Sequence, residues 1–352
     1  ELIPDPFLIP ENKKKYMKKG FDLAVQYGLT MMHTYAAEIW KYSEDISDYI
    51  ELNRKGELPV RMTVCLDYFY DKPFVTKAER EDPFRAAQFG TFKIFSDGSL
   101  GSRSAKLFEP YDDDPTTDGI LVISQEDLNE RMLKGYEMGL QPAIHCIGDK
   151  GLDVVLTAIE YTLEKSREHG MTQREQDDRL PFRIIHAQMA NPELIERMAK
   201  LPVVLDIQPS FFLTDLHWIK DRVGEKRANM SYTWKTYQEA GLMMTGGSDC
   251  PVEMFSPWNG IYSLVARKDL DGYPEGGVQP EEKLSVYDAV CMFSKNIPYA
   301  NGEQDLMGTI EAGKFADMVV IDRDIFNIPE DELKDVQALN TYLAGNETYR
   351  RA

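Results

Sequence analysis

The chain has 352 residues, of which 43% are hydrophobic, and this allows one large α/β domain with a small extra module. Its net charge of -19 excludes nucleic acid and anionic membrane surfaces as expected partners, because both repel an acidic surface. No window approaches the roughly 20 apolar residues of a membrane span, and Glu1–Pro10 lacks the basic-then-apolar layout of a signal peptide.

Seven short apolar or β-branched runs alternate with helix-like stretches along the chain. The predicted strands are Leu29–Thr34, Val60–Phe69, Thr91–Ser96, Gln141–Ile147, Phe182–Ala187, Val203–Gln208 and Met243–Gly247. The predicted helices include Glu11–Tyr27, Ser124–Met138, Gly151–His169, Asn191–Lys200 and Tyr232–Ala240. Strands that alternate with helices predict βαβ units and a parallel sheet.

Local signals mark the ends of these helices. Ser124 and Asp127 have the spacing of a helix N-terminal cap. A Gly-Leu pair follows three predicted helices, at residues 28, 139 and 241. Glycine adopts the left-handed conformation at low cost after a helix, so each pair predicts a turn from a helix into a strand.

Polar residues decide between an open sheet and a closed barrel. Seven strands suit an open sheet, whereas a (β/α)₈ barrel needs eight. His33, Lys93, His145, His186 and Asp249 fall at or near the C-terminal ends of five different strands. In a barrel these ends converge on one mouth, so the pattern favours a (β/α)₈ TIM-type barrel over residues 1–300.

The pattern changes after about residue 300. Residues 306–322 are punctuated by glycine and then strongly β-forming, and residues 340–349 have the pattern of a further strand and turn. We therefore expect residues 301–352 to form part of a small β-sandwich module.

Three strand-end residues are of types that bind metal ions. His145, His186 and Asp249 offer imidazole nitrogen and carboxylate oxygen, which are normal ligands of zinc and similar divalent ions. Such an ion lowers the pKa of bound water to about 7, and a nearby carboxylate can relay the proton. Each residue alone has an ordinary alternative: a strand-end histidine is usually hydrogen-bonded in the core or at the surface, and an aspartate after Gly-Gly-Ser is commonly a turn or a cap.

Lys93 is unusual because it lies between Phe92 and Ile94 in an apolar strand, where a buried ammonium is costly. One interpretation is a side chain that extends its ammonium to the rim. The other is a lysine whose lowered pKa allows reaction with carbon dioxide, since a carbamate supplies the oxygen ligands that an ammonium lacks.

The stretch Lys93–Ala105, which reads Lys-Ile-Phe-Ser-Asp-Gly-Ser-Leu-Gly-Ser-Arg-Ser-Ala, resembles the fourth-strand motif of the YtcJ-like branch of the amidohydrolase superfamily. This branch includes N-substituted formamide deformylase. The resemblance continues in the right order through His-Cys-Ile-Gly-Asp, Ile-His-Ala-Gln, Gln-Pro-Ser-Phe, Gly-Ser-Asp-Cys-Pro-Val and Gly-Thr-Ile-Glu-Ala-Gly-Lys-Phe-Ala-Asp. It covers essentially the whole chain, so it is specific for the family and poorly specific for the substrate.

The resemblance implies roles at the matching positions. Lys93 is the expected carboxylated, metal-bridging ligand, His145 and His186 the ligands of a second metal, and Asp249 a ligand of the first metal and the proton shuttle. The family also has a His-x-His pair on strand one, which this sequence lacks. We therefore expect a barrel without its first strand, with exposed strand edges, that binds one metal ion at best and has weak or no activity.

Four further residues receive lesser roles. His33 and Asp97 are expected to support the ligands through hydrogen bonds or packing. Arg103 could pair with a substrate carboxylate, although a loop arginine is commonly a surface ion-pair partner. Trp218, in a loop expected to cover the site, could lie over a hydrophobic substrate group.

These expectations add up to a metal-dependent hydrolase that cleaves the C–N bond of a small amide or N-formyl amide. The alternatives are hydrolysis of another bond, such as an ester, lactone or cyclic amidine, and a degenerate barrel that binds a metal or small ligand without turnover. The four dispersed cysteines form no disulfide framework and fit a reducing, cytoplasmic compartment. Metal identity, substrate and any homo-oligomer are left open.

Overall fold

The computed structural model describes residues 10–36, 49, 51–52, 55–66 and 87–352. The chain divides into two compact units. The first comprises Glu1–Lys93, Asp305–Asp324 and Val336–Ala352, and the second comprises Ile94–Gln304 and Ile325–Asp335. This division by compactness interleaves the chain, whereas the predicted domains, 1–300 and 301–352, are contiguous; that domain boundary stays a prediction.

Seven strands form a sheet in which each strand neighbours the next along the chain. They are β1 (Met31–Ala36), β2 (Arg61–Leu66), β3 (Ala87–Phe95), β4 (Gln141–Cys146), β5 (Phe182–His186), β6 (Val203–Ile207) and β7 (Met243–Gly246). The neighbours β1 to β3, and β4 to β7, pair in parallel. All residues of β2 and β6 are buried, as expected for parallel strands covered on both faces. The α/β class with its parallel sheet is confirmed; the part of the second predicted strand beyond Leu66 lies outside the described residues.

Helices lie between most of these strands, before β1 and after β7. They are α1 (Pro10–Gln26), α2 (Gln125–Glu137), α3 (Asp149–Glu168), α4 (Gln173–Asp177), α5 (Pro192–Met198), α6 (Phe211–Asp215), α7 (Ile219–Ala228), α8 (Trp234–Glu239), α9 (Pro257–Ala266), α10 (Val286–Met292) and α11 (Asn296–Ala300). Ser124 caps α2 as predicted, because its side chain accepts a hydrogen bond from the Asp127 N–H at 3.0 Å. None of the helices in the described ranges is long and apolar enough to cross a membrane.

The three predicted Gly-Leu joints share one geometry. Gly28, Gly139 and Gly241 have φ of 82°, 87° and 81°. After each glycine the leucine N–H still donates to a helix carbonyl, at 3.0 Å in all three cases. This is the Schellman arrangement, which satisfies carbonyls at the helix end before the strand begins.

The same joint corrects one prediction. Since the N–H of Leu29 bonds to the Ala24 carbonyl of α1, β1 begins only at Met31, two residues later than predicted. His33 therefore lies in the middle of β1, paired in register with Thr63 of β2, and not at a strand end.

A second, antiparallel sheet lies in the first unit. Its strands are β8 (Met318–Ile321), β9 (Ala338–Leu343) and β10 (Asn346–Arg350), in the order β10-β9-β8. Helix α1 packs against β9 and β10, and the Thr341 hydroxyl donates to the Val25 carbonyl at 2.7 Å. This agrees with the β character predicted for the C-terminal region.

A buried ion pair joins β2 to the segment before β8. Arg61 is 2% exposed and donates through Nε and Nη2 to the two carboxylate oxygens of Asp317, at 2.8 Å and 2.9 Å. Its guanidinium also lies 4.7 Å from the centre of the Phe315 ring. Two residues of the Lys-Phe-Ala-Asp motif thus serve to bury one arginine, because planar, bidentate pairing satisfies both charges.

In the second unit another arginine, Arg267, is completely buried against aromatic rings. Its guanidinium lies 4.1 Å from the centre of Phe212 and 5.1 Å from that of Trp234, and it donates to the Tyr232 carbonyl at 2.9 Å. Burial lowers the pKa of Arg267 to about 10, since desolvation penalises the charged form. These contacts fix the helices that follow β6 and β7.

Candidate metal centre

A lateral row of residues crosses four strands of the second unit. His145 of β4 pairs in register with Ile185 of β5, which pairs with Asp206 of β6, which pairs with Thr245 of β7. Laterally paired residues of parallel strands point to the same face of the sheet. His145 therefore shares a face with the Asp206 carboxylate, which accepts hydrogen bonds from Thr245 Oγ1 at 2.6 Å and Arg183 Nε at 2.7 Å.

His145 and His186 come together at the C-terminal ends of β4 and β5. Their ring centres are 4.5 Å apart, with an angle of 76° between the planes. His186, the last residue of β5, has φ of 75° and the following Ala187 has φ of 44°. Positive φ is costly for residues with a Cβ, and such strain is concentrated at functional sites. Here it marks the position where the chain leaves the sheet and the two imidazoles meet.

The tautomer of His145 follows from its neighbours. Its Nε2 lies 3.0 Å from the Gly98 carbonyl oxygen, which can only accept, so Nε2 carries the proton and donates. In the neutral form, which is the form that binds metals, the lone pair of His145 would be on Nδ1. Two imidazoles on adjacent strand ends offer the donor chemistry of a site for a zinc-like divalent ion.

Asp97 holds the loop that supplies the Gly98 carbonyl. Its buried carboxylate accepts hydrogen bonds from the backbone N–H groups of Lys106, Ile147 and Gly148, at 2.9 Å, 3.1 Å and 2.8 Å. Oδ1 also lies 3.6 Å from His145 Nε2. Burial raises the pKa of Asp97 to about 6, because desolvation outweighs the hydrogen bonds that favour the carboxylate. Asp97 thus lies beside His145, and its supporting role stays a prediction.

Lys93 belongs to the first unit, in β3, and is 7% exposed. Its Nζ lies 5.4 Å from the centre of the Tyr35 ring, which is a cation–π distance. Lys93 is therefore buried, as its position in an apolar strand suggests. Its carboxylation stays a prediction.

Asp249 lies in the turn after β7, exposed and with φ of 55°. Within the described ranges, no group of three or more His, Cys, Asp or Glu side chains stands close enough to hold a metal ion. The structure thus brings His145 and His186 together and does not add Asp249 to them as a third ligand. The ligand role of Asp249 stays a prediction.

The two predicted substrate contacts lie on the glycine-rich loop and on the chain after β6. Arg103 forms a bidentate ion pair with Asp113, at 3.0 Å and 2.9 Å, and Arg222 binds the same carboxylate. Arg103 is thus paired within the protein, as in the ordinary alternative for a loop arginine. Trp218 packs against the glycine-rich loop, because a Cβ added to Gly101 would lie 3.8 Å from the Trp218 ring. The guanidinium of Arg222 lies 5.6 Å from the centre of the same ring.

A cavity of about 370 Å³ lies elsewhere in the second unit, lined in part by Phe212, His217 and Tyr273. His217 Nε2 lies 3.0 Å from an Asp269 oxygen and its ring stacks on Tyr273 at 5.7 Å. None of the predicted site residues lines this cavity. We place the candidate chemistry at the histidine pair because strand ends supply the ligand types there.

Sequence reasoning missed the surroundings of His186. Phe211 stacks on its ring at 5.7 Å. Gln188, two residues further along the chain, donates to Asp215 at 3.1 Å, and Tyr232 donates to the same carboxylate. Gln188, Gln208 and Phe211 all lie in the motifs Ile-His-Ala-Gln and Gln-Pro-Ser-Phe, and this was the available signal.

Comparison with known proteins identifies the family of this chain. A model described as the amidohydrolase family matches residues 6–349. The chain belongs to the amidohydrolase family. YtcJ of Bacillus subtilis, which is named as an amidohydrolase, is 32% identical over 98% of this chain and 63% of its own length. The predicted family is therefore confirmed.

Two further relatives bear on chemistry. N-substituted formamide deformylase of Arthrobacter pascens is 25% identical over 96% of this chain and 62% of its own length. The crystal structure of an uncharacterized metal-dependent hydrolase from Pyrococcus furiosus superimposes with a TM-score of 0.72 and 28% identity, covering 90% of this chain and 61% of that one. The chain thus spans less than two thirds of the length of these relatives.

Proposed function

We propose that this chain is the catalytic part of a metal-dependent hydrolase that cleaves the C–N bond of an amide or N-formyl amide. The observation that carries the proposal is the meeting of His145 and His186, with ring centres 4.5 Å apart, at adjacent strand ends. Family membership and the similarity to a formamide deformylase support it. Fold alone would not, because many functions share one fold.

His145 and His186 would hold the divalent ion, which we propose to be zinc or a similar metal. Resemblance to the family implies that Lys93, as a carbamate, would be a bridging ligand and that Asp249 would be a ligand of the first metal of a two-metal site. When bound, such an ion polarises a carbonyl and lowers the pKa of water, so that attack on the amide occurs at neutral pH.

The residues of the chain contribute orientation and proton transfer. Gly98 and Asp97 fix the ring of His145 with its proton on Nε2. We propose that the carboxylate of Asp249 takes the proton released on attack and passes it to the leaving nitrogen, since a positioned carboxylate is a normal general acid–base. Trp218 would cover an apolar group of the substrate.

The proposal includes the architecture and setting expected from the sequence. The seven parallel strands would belong to a (β/α)₈-type barrel without its first strand, and β8 to β10 to part of a β-sandwich module. The substrate would be a small molecule handled in the cytoplasm, with no nucleic acid or membrane partner, and the chain could assemble as a homo-oligomer.

One observation favours a second candidate, a barrel that binds a metal or small ligand without turnover. Within the described part of the chain, two imidazoles meet but no third His, Cys, Asp or Glu joins them. Two protein ligands hold a metal less tightly than the three or four of typical zinc sites.

Metal analysis of the purified chain tests the proposal. We expect about one zinc-like ion per chain after reconstitution, lost in His145→Ala and in His186→Ala. His169→Ala is the matched control, because His169 is exposed and paired with Glu137 at 2.7 Å on the surface. A chain that binds no ion, or a His145→Ala variant that binds as much as wild type, would overturn the site.

Turnover separates the two candidates. A metal-loaded chain that hydrolyses members of a formamide and amide panel is an enzyme. A chain that binds metal through both histidines and hydrolyses no amide supports the binding protein.

A further inference from the structure

Gln208, the first residue after β6, carries a buried polar atom to which none of the described residues hydrogen-bonds. The side chain is 8% exposed, and Nε2 donates to the Asp206 carbonyl at 2.8 Å. The other end of the amide, Oε1, is buried and has no hydrogen-bond partner among the residues that the structure describes. A buried acceptor left unsatisfied costs free energy, so such an atom calls for a partner.

The orientation of this amide is fixed. If the amide were reversed, Oε1 would face the Asp206 carbonyl, and two acceptors would meet at hydrogen-bond distance. The hydrogen-bond network therefore assigns an acceptor, and not a donor, to the unused position.

Gln208 also lies at the C-terminal end of the strand next to that of His186. It is the first residue after β6, and β5, which ends at His186, neighbours β6 in the sheet. Phe211, three residues after Gln208, stacks on the His186 ring at 5.7 Å. On the neighbouring strand Gly247 has no side chain, and a Cβ there would lie 3.9 Å from Gln208 Nε2.

We propose that Gln208 Oε1 accepts a hydrogen bond from the N–H of the substrate amide. The site would then select secondary amides, such as N-alkyl formamides with one N–H, and discriminate against tertiary amides, which have none. This inference rests on the proposed function and makes it narrower. Sites built to bind a substrate N–H reject analogues that lack it more strongly than apolar pockets reject an added or missing methylene.

The test compares N-butylformamide with N-butyl-N-methylformamide, which differ in the N–H. We expect wild type to prefer the secondary amide by about 100-fold in kcat/KM, and Gln208→Met to reduce that preference about 10-fold or more. Methionine keeps the length and removes the acceptor. Binding of the two formamides, followed by saturation-transfer NMR, gives a readout that does not need turnover.

Gln176→Met is the matched control. Gln176 is also buried, but its Nε2 donates to the Leu163 carbonyl and to Ser166 Oγ, at 2.7 Å and 2.8 Å within the helical region after β4. The same substitution there would lower stability and leave the preference between the two formamides unchanged.

The outcomes separate the two proposals. Equal treatment of the two formamides by wild type, or a preference that survives in Gln208→Met, overturns the role of Gln208 and leaves the hydrolase intact. Preferential binding of the secondary amide that is lost in Gln208→Met, without hydrolysis in the presence of metal, supports Gln208 and overturns the hydrolase. A chain that neither binds nor hydrolyses either compound overturns both.

Discussion

The two units each bury a carboxylate, and they hold it in different ways. In the first unit Asp317 faces the Arg61 guanidinium, and charge meets charge at 2.8 Å and 2.9 Å. In the second unit Asp97 accepts hydrogen bonds from three backbone N–H groups, which carry no net charge. The arginine compensates the buried charge of Asp317. The backbone N–H groups compensate that of Asp97 only in part, so the desolvation caused by burial raises the pKa of Asp97 to about 6.

This difference separates framework from function. A bidentate arginine pair fixes two distant segments and changes little near neutral pH, because arginine stays protonated. A carboxylate held by backbone N–H groups also fixes a loop, but its pKa can lie close to neutral pH, as that of Asp97 does at about 6. The Asp97 carboxylate lies 3.6 Å from His145, a proposed metal ligand. Perturbed groups of this kind are concentrated at functional sites.

The largest expected effect comes from breaking the ion pair. Arg61→Leu leaves the Asp317 carboxylate buried without a counter-charge, and we expect the free energy of unfolding to fall by about 3–5 kcal/mol. Urea denaturation measures the change. Arg350→Leu, which removes an exposed pair with Glu347, should leave the midpoint nearly unchanged. Equal urea midpoints for the two variants would show that the Arg61–Asp317 ion pair does not stabilise the fold.

The second prediction concerns the backbone cradle. Asp97→Asn places an N–H₂ group against backbone N–H donors, so we expect a loss of about 3 kcal/mol in stability. Because the loop that supplies the Gly98 carbonyl is loosened, divalent-metal affinity should fall about 10- to 100-fold. Asp153→Asn, on α3 in the same unit, should leave metal affinity unchanged, since Asp153 pairs with Lys150 and Arg197. A metal titration in which both variants bind equally would contradict the supporting role.

The third prediction is a pH dependence at a further buried carboxylate, Asp215. Burial raises its pKa from 3.8 to about 6, although Tyr232 and Gln188 donate to it. The folded state then binds this proton more tightly than the unfolded state does. Its contribution to stability is complete below pH 3.8 and is lost as the pH rises through about 6.

Between about pH 4 and pH 7, wild type should therefore lose about 2 kcal/mol of unfolding free energy relative to Asp215→Asn. Asp97 titrates in both proteins and cancels from the difference. Urea denaturation at several pH values measures it. A difference that is flat, or that grows in favour of wild type with rising pH, would contradict the assignment.

The sequence pattern predicts those features of the fold that depend on neighbouring residues, such as strand ends and helix-to-strand joints. Strand periodicity and residue type predicted His145 and His186 at neighbouring strand ends, and glycine placement predicted the joints after α1, α2 and α8. The meeting of the two rings depends on positive φ at His186 and Ala187, which residue type does not indicate.

Contacts between distant segments could not be predicted in this way. Arg61 and Asp317 are separated by 256 residues, and neither has a local signal for the other. The sequence leaves two partners open for Arg103, a substrate carboxylate and a surface ion pair; in the structure Asp113 binds it and also binds Arg222, 109 residues away. The sequence shows Gln208 only as part of the motif Gln-Pro-Ser-Phe. That its Oε1 has no hydrogen-bond partner among the described residues is seen only in the three-dimensional structure.

The interleaved order of the first unit has a consequence for synthesis on the ribosome. Arg61 leaves the exit tunnel of the ribosome long before Asp317 is synthesised. During that time Arg61 lacks the carboxylate with which it pairs in the folded protein. The second unit, by contrast, has its long segment, Ile94–Gln304, complete before residues 305–324 are made. We therefore expect the segment Ile94–Gln304 to fold before the first unit is complete, so that α1, β1 and β2 need protection from aggregation until residues 305–324 and 336–352 have been synthesised.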